Sequence, residues 1–187
     1  MVDMAMHMMD IAQNSIRAGA KNICISFFED NDSNVLIFRI IDDGKGMSTK
    51  ELNRLSDPFF TTRTTRKVGL GIPLLKMTCE QCGGHLTVTS ERGVGTTVEA
   101  TYRTDNPDCL PIGDIPGYLT MLLIANPLLR IRFSYKIDKE EFIIDSTELI
   151  EEGIDSQQQG VSGLIKSYIK DKLEQLILCR SEKSLLC

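Results

Sequence analysis

The chain has 187 residues, 42% hydrophobic and 25% charged, close to the globular average and long enough to bury a core without staples. Its net charge is -5, and residues 1–104 hold 12 Lys/Arg against 12 Asp/Glu while residues 105–187 hold 9 against 14. The acidic excess therefore lies entirely in the C-terminal part, which excludes a basic nucleic-acid surface spanning the chain and leaves only a local basic loop.

The spacing predicts a helix over Met4 to Ala18, ended by Gly19, with a polar stripe at Asp3, His7, Asp10, Asn14 and Arg17. Two strands follow, Asn22 to Phe28 and Val35 to Ile41, joined by the polar turn 29–34. Asp42-Asp43-Gly44-Lys45-Gly46 ends the second strand abruptly, and Ser48 with Glu51 three residues on reads as the capping box of a short helix. Residues 57–68 read as a loop. A helix resumes near Gly71, with Pro73 in its first turn, and stops at Gly83-Gly84. Leu86 to Thr89 and Thr96 to Tyr102 form a second hairpin. This order predicts an α+β fold with helices layered on one face of a mixed sheet.

At Asp105 the composition shifts. Residues 105–117 hold Pro107, Pro111 and Pro116 and read as a Pro-rich linker or packed arm. Beyond it the pattern gives a helix near Tyr118 to Ala125, a hairpin of Leu129 to Ile137 with Phe142 to Asp145, and helices over Ser146 to Glu152 and Val161 to Arg180. The expected division is 1–104, then the linker 105–117, then an α+β subdomain over 118–187 that carries no assignable chemistry.

The apolar start, MVDMAMHMMD, lacks a basic leader, and the longest apolar run, Tyr118 to Leu129, is too short for a bilayer. The six cysteines then read as reduced thiols, so a cytoplasmic protein with no membrane partner is expected.

Four local signals carry chemistry. Asp10 and Asn14 stand four apart on one helix face, where a carboxylate and an amide oxygen can share a hard cation or form a solvated polar face. Asp42 ends a buried strand and is followed by two glycines, Gly44 and Gly46, over which a ligand can approach the backbone. Gly69 and Gly71 open a helix, whose free N–H groups suit a phosphate. Arg63, Arg66 and Lys67 stand in a loop with no acidic residue between Asp57 and Glu80, the electrostatics of a lid over a polyphosphate.

Order and spacing of these segments resemble the boxes of the GHKL ATP-binding superfamily of DNA gyrase, the ninety-kilodalton heat-shock chaperone, histidine kinases and mismatch-repair MutL. DIAQNSIRAGA (10–20) looks like the N box and IIDDGKGM (40–47) like the first glycine box. DPFFTTR (57–63) resembles the F box of histidine kinases, GLGI (69–72) the second glycine box, and CGGHLTVTSERGVGTTV (82–98) the closing strand pair. The resemblance covers residues 4–103 and is strongest toward a stand-alone histidine-kinase-like ATPase domain.

The resemblance implies a two-layer α/β sandwich, the Bergerat-type ATP-binding fold, with ATP and magnesium as cofactors. It implies that Asn14 ligates magnesium, that Asp42 binds the adenine amine with Thr96 beside it, and that Gly44 and Gly46 pass against the base. Arg63, Arg66 and Lys67 would meet the phosphates, Gly69 and Gly71 would offer them N–H groups, and Asp10 would polarise the attacking water or hydroxyl. Asp10 is one methylene shorter than the family's usual glutamate. The N box also begins almost at residue 1, so a domain without its own phosphoacceptor is expected. It would work in trans as a protein kinase or ATP-driven switch, or as a non-hydrolysing nucleotide-sensing module that binds a partner protein. The terminal amphipathic helix suits a homodimer or partner contact.

Two further features compete with that reading. His7 reads as an exposed helix histidine one turn before Asp10, and His85 as structural. Cys79 and Cys82 read as core residues rather than a metal or thiol site, since a single CxxC supplies two of the four ligands a closed zinc site needs.

Overall fold

A computed structural model of the chain describes residues 3–55, 70–151 and 160–178. The first helix, α1 (Met4–Arg17), is held at its start by three acceptors. Asp3 caps it by accepting from Met6 N at 2.8 Å, while the carbonyls of Pro111 and Ile112 accept from Met4 N and Ala5 N at 3.0 and 2.9 Å. The Pro-rich arm 105–117 thus supplies acceptors that a helix N-terminus otherwise lacks. Strands β1 (Asn22–Asp30) and β2 (Val35–Asp42) form the predicted hairpin, followed by the short α2 (Thr49–Leu52) with its capping box at Ser48 and Glu51.

Helix α3 (Gly71–Gln81) leads to β3 (His85–Glu91) and β4 (Gly95–Arg103). Then come α4 (Ile115–Ala125), β5 (Arg130–Ile137), β6 (Glu140–Asp145), α5 (Ser146–Glu151) and α6 (Val161–Leu178). The six strands make one sheet in the order β3-β4-β2-β1-β5-β6, antiparallel except for the parallel pair of β1 with β5. Its inner face, with Ile23, Ile25, Phe27, Leu36, Phe38, Ile40, Val98, Ala100, Phe133 and Tyr135, is buried beneath the helices. This is the expected two-layer α/β sandwich.

The stretch read as a subdomain of its own extends this same sheet. β5 lies along β1 from Asn22 opposite Arg130 to Glu29 opposite Ile137, and α4 and α6 join the helical layer beside α1. Phe27 of β1 stacks between Phe38 of β2 at 4.9 Å and Tyr135 of β5 at 5.4 Å between ring centroids. Such ring pairs contribute roughly 0.5–1.5 kcal/mol each beyond area burial. Asp138 ties the far end, accepting from Asn31 N at 2.9 Å and Asn31 Nδ2 at 2.7 Å. No helix among the described residues is long and apolar enough to cross a membrane.

Candidate functional site: a cavity between α1, the end of β2 and the start of α3

The polar stripe of α1 divides along its length: His7 is buried against α3, Asp10 and Asn14 are half-buried, with Asn14 on a cavity wall, and Arg17 is exposed. His7 is fully buried, and its Nε2 lies 3.2 Å from Thr78 Oγ1 on α3. This corrects its reading as an exposed helix histidine. Burial, chiefly through desolvation, lowers its pKa from 6.5 to about 4, so the imidazole is neutral near pH 7.

One turn further, Asp10 sets its carboxylate against Gly71 at the start of α3. A Cβ on Gly71 would fall 1.8 Å from Asp10 Oδ2, so only glycine allows this approach. Asn14 and Ser15 follow and line a cavity of about 190 Å³. Its other walls include Ile11, Arg17, Met47, Ile72, Val88 and Val98. Arg17 donates from Nη1 to Asn14 Oδ1 at 3.1 Å, bringing a cation to the rim. Asp10 itself does not line this cavity among the described residues.

Asp42 forms part of the cavity's polar wall and is 8% exposed. Its side chain follows the inward phase of Leu36, Phe38 and Ile40. Oδ2 accepts from Ser15 Oγ at 2.6 Å and Oδ1 from Gly44 N at 2.9 Å. Asp43, one residue out of phase, turns to the start of β1, where Oδ1 accepts from Lys21 N and Asn22 N at 2.7 and 2.8 Å and Oδ2 from Asn22 Nδ2 at 2.6 Å. The Asn22 side chain and then its backbone hold the Asp43 carboxyl below the usual carboxylate range. Two adjacent aspartates therefore do different work: one faces the cavity and the other locks the strand ends.

The loop after Asp42 is laid against the turn between β3 and β4. Gly46 has φ +60, and a Cβ there would meet Glu91 O at 1.9 Å. Gly93 N donates to Lys45 O at 2.8 Å, and Met47 N to Ser90 Oγ at 2.9 Å. Thr96 is the cross-strand partner of both Asp42 and Ser90, and it lines the cavity. Glu51, held by the Ser48 hydroxyl at 2.7 Å, closes one side; that bond, then the Ser48 backbone N–H, lowers its pKa.

Of the residues singled out by sequence, the structure brings Asn14, Asp42, Gly46, Gly71 and Thr96 to one cavity, with Gly44 bonded to Asp42 and Asp10 packed on Gly71. Arg63, Arg66, Lys67 and Gly69 lie outside the described residues. Sequence reasoning missed Ser15, Ser90 and Arg17 as site residues. Ser15 and Ser90 work through contacts between distant elements that no local pattern reveals, whereas Arg17, in the polar stripe one turn after Asn14, could have been found. Cys79 and Cys82 are core residues. Burial pushes the Cys79 thiol up to about 11, and Cys82 Sγ accepts from Arg103 N at 3.3 Å.

Comparison with known proteins agrees with this geometry. A family model described as histidine kinase-, DNA gyrase B-, and HSP90-like ATPase matches residues 4–106. The sensor protein kinase PilS of Pseudomonas aeruginosa is 34% identical over 76 residues, 38% of this chain and 14% of that protein. The sensor protein kinase GraS of Staphylococcus aureus is 37% identical over 80 residues, 41% of this chain and 23% of that protein. The matched stretches thus span less than a quarter of either relative's length. A crystal structure of the N-terminal domain of a DNA repair protein superposes with a TM-score of 0.53 at 17% identity, covering 77% of this chain and 52% of that one. That coverage is more than residues 4–106 can supply, so the shared fold includes part of the chain beyond them.

Proposed function

The chain belongs to the histidine kinase-, DNA gyrase B- and HSP90-like ATPase family, and from that premise we propose that its cavity binds ATP with magnesium and that it acts on or through a second protein. The carrying observation is Asp42, buried at the end of β2 and aimed into the cavity with both oxygens engaged as acceptors. A carboxylate so fixed receives the exocyclic amine of adenine, while Ile11, Ile72, Val88 and Val98 give the base apolar walls.

The site's donor chemistry fits magnesium, which prefers hard oxygen ligands and is held by few protein groups. Asn14 offers an amide oxygen that already faces a positive group, Arg17. When bound, the ion would neutralise phosphate charge. Arg17 would exchange Asn14 for the phosphates, joined by Arg63, Arg66, Lys67 and the N–H groups of Gly69 and Gly71. Asp10, against the first residue of α3, would hold the attacking water or hydroxyl.

The relatives being sensor protein kinases supports transfer to a protein in trans; an ATP-driven switch in the cytoplasm is the same chemistry with water as acceptor. A second reading, a nucleotide-sensing module without turnover, is favoured by one observation. Asp10 packs against Gly71, a residue of the cavity wall, and does not itself line the cavity. Following labelled γ-phosphate in the full chain separates them. Free phosphate lost in Asn14→Ala and Asp10→Asn establishes an ATPase, and label on a second protein a kinase. Binding with neither product establishes the module. No binding at all defeats the proposal.

A further inference from the structure

Ser90 stands in the middle of three polar contacts, and their donor and acceptor capacities do not leave it free to choose. Met47 N lies 2.9 Å from its Oγ, Gly95 O lies 2.9 Å away, and Thr96 Oγ1 lies 2.9 Å away. An amide N–H can only donate, so Met47 takes one Ser90 lone pair. A carbonyl can only accept, so Gly95 takes the single Ser90 proton. One lone pair remains on Ser90, and it is satisfied only if the Thr96 hydroxyl donates to it. The opposite assignment would set the Ser90 oxygen against the Gly95 carbonyl oxygen at 2.9 Å with no proton between them.

Thr96 thus spends its proton on Ser90 and turns only lone pairs to the cavity. Asp42, its cross-strand partner, also presents acceptors, because Ser15 and Gly44 already donate to it. The polar wall of the cavity is therefore acceptor on acceptor. We infer that Ser90 is a specificity-determining residue: by fixing the Thr96 hydroxyl as an acceptor it makes the cavity accept a purine with an amine at position 6 and reject one with a carbonyl there. This rests on the nucleotide reading above and names how that site selects its base.

ATP and ITP isolate the point, since they differ only in having an amine or a carbonyl at position 6, with N1 protonated in ITP. Equilibrium binding of each to the full chain, with magnesium, is measured for the wild type, Ser90→Ala, Ser90→Thr and Thr96→Val. Leaving a buried acceptor facing an acceptor costs about 10- to 100-fold in affinity, so the wild type is expected to favour ATP by at least that much. Ser90→Ala frees Thr96 to rotate and donate, and the ATP:ITP ratio is expected to fall by about 3- to 10-fold, with the preference that remains carried by Asp42, whose bonds to Ser15 and Gly44 are untouched. Ser90→Thr keeps the ratio. Thr96→Val removes the hydroxyl itself and lowers the ratio in the same direction, which keeps the test decisive if Ser90→Ala does not fold. A ratio unchanged in Ser90→Ala or in Thr96→Val overturns the role of Ser90 and leaves the ATP site standing. A wild type that binds ATP and ITP equally does the same, whereas one that binds neither removes the site and the inference together.

Discussion

Ser15 of α1 donates its hydroxyl to Asp42 at the end of β2 across 2.6 Å, joining two residues 27 positions apart inside the cavity wall. The bond fixes the carboxylate's rotation, and Gly44 N fixes its other oxygen. Ser15→Ala removes a charge-assisted bond from a buried acceptor, so a loss of about 1–3 kcal/mol in stability is expected. Weaker ATP binding accompanies it, by roughly tenfold, because Asp42 must then be oriented on binding. Asp42→Ala removes binding altogether. Calorimetric titration with ATP checks both, and unchanged affinity in Ser15→Ala would show that Gly44 alone suffices to hold the carboxylate.

The contact of Asp10 with Gly71 predicts a coupling that can be measured without substrate. Gly71→Ala puts a methyl 1.8 Å from Asp10 Oδ2, so the side chain or the helix must shift. The clashing atom is the tip of a side chain that can turn, so a cost of about 0.5–1.5 kcal/mol is expected. Asp10→Ala makes room for the methyl, so the double variant should lose less than the sum of the two single losses. Urea denaturation of the four proteins gives the coupling energy directly. Strict additivity would mean that the added methyl and the Asp10 carboxylate do not meet.

His7 sets a pH dependence of stability. Its folded pKa is lowered to about 4, below the ordinary 6.5 of the unfolded chain, because burial disfavours the imidazolium. Between these values the unfolded state binds more protons than the folded one, so stability rises with pH through this window. It is complete above about pH 6.5, falls as pH drops toward 4, and His7 adds nothing to the slope below that. The change amounts to at most about 3 kcal/mol. Unfolding midpoints from pH 4 to 7.5 for the wild type and His7→Gln test it. The variant should lose that part of the slope, and parallel curves would assign the slope to carboxylates.

Much of this was legible from local pattern. The first two strands stand out as runs rich in Ile, Val, Phe and Cys between turns, and counting by twos along β2 puts Asp42 in phase with Phe38 and Ile40 and Asp43 out of phase. The capping box at Ser48 is a four-residue signal and was read as one. What remained hidden depends on contacts between elements. Nothing in the neighbourhood of His7 says that α3 will cover it, since Thr78 is 71 residues away. Ser90 looks like any hairpin serine until Met47 reaches it. The parallel pairing of β1 with β5 joins positions about a hundred residues apart, beyond any periodicity.

That last pairing carries the final prediction: residues 1–104 by themselves do not hold the fold. Cutting there makes β1 an edge strand, stripping Phe27 of the Tyr135 ring and leaving the strand's backbone groups facing β5 without partners. It also removes Pro111 and Ile112, whose carbonyls cap α1, and α4, which packs on α1. Since α1 carries Asn14 and Ser15, the loss reaches the cavity as well as the edge. The truncated chain is expected to aggregate or to unfold without a cooperative transition, and to bind ATP far more weakly than the full chain. Sedimentation, thermal melting followed by circular dichroism, and ATP titration of the two chains provide the comparison. A monomeric 1–104 that melts cooperatively and binds ATP as tightly as the full chain would make the two C-terminal strands an addition to a self-sufficient domain. Loss of all three properties would make them part of the structure that builds the site.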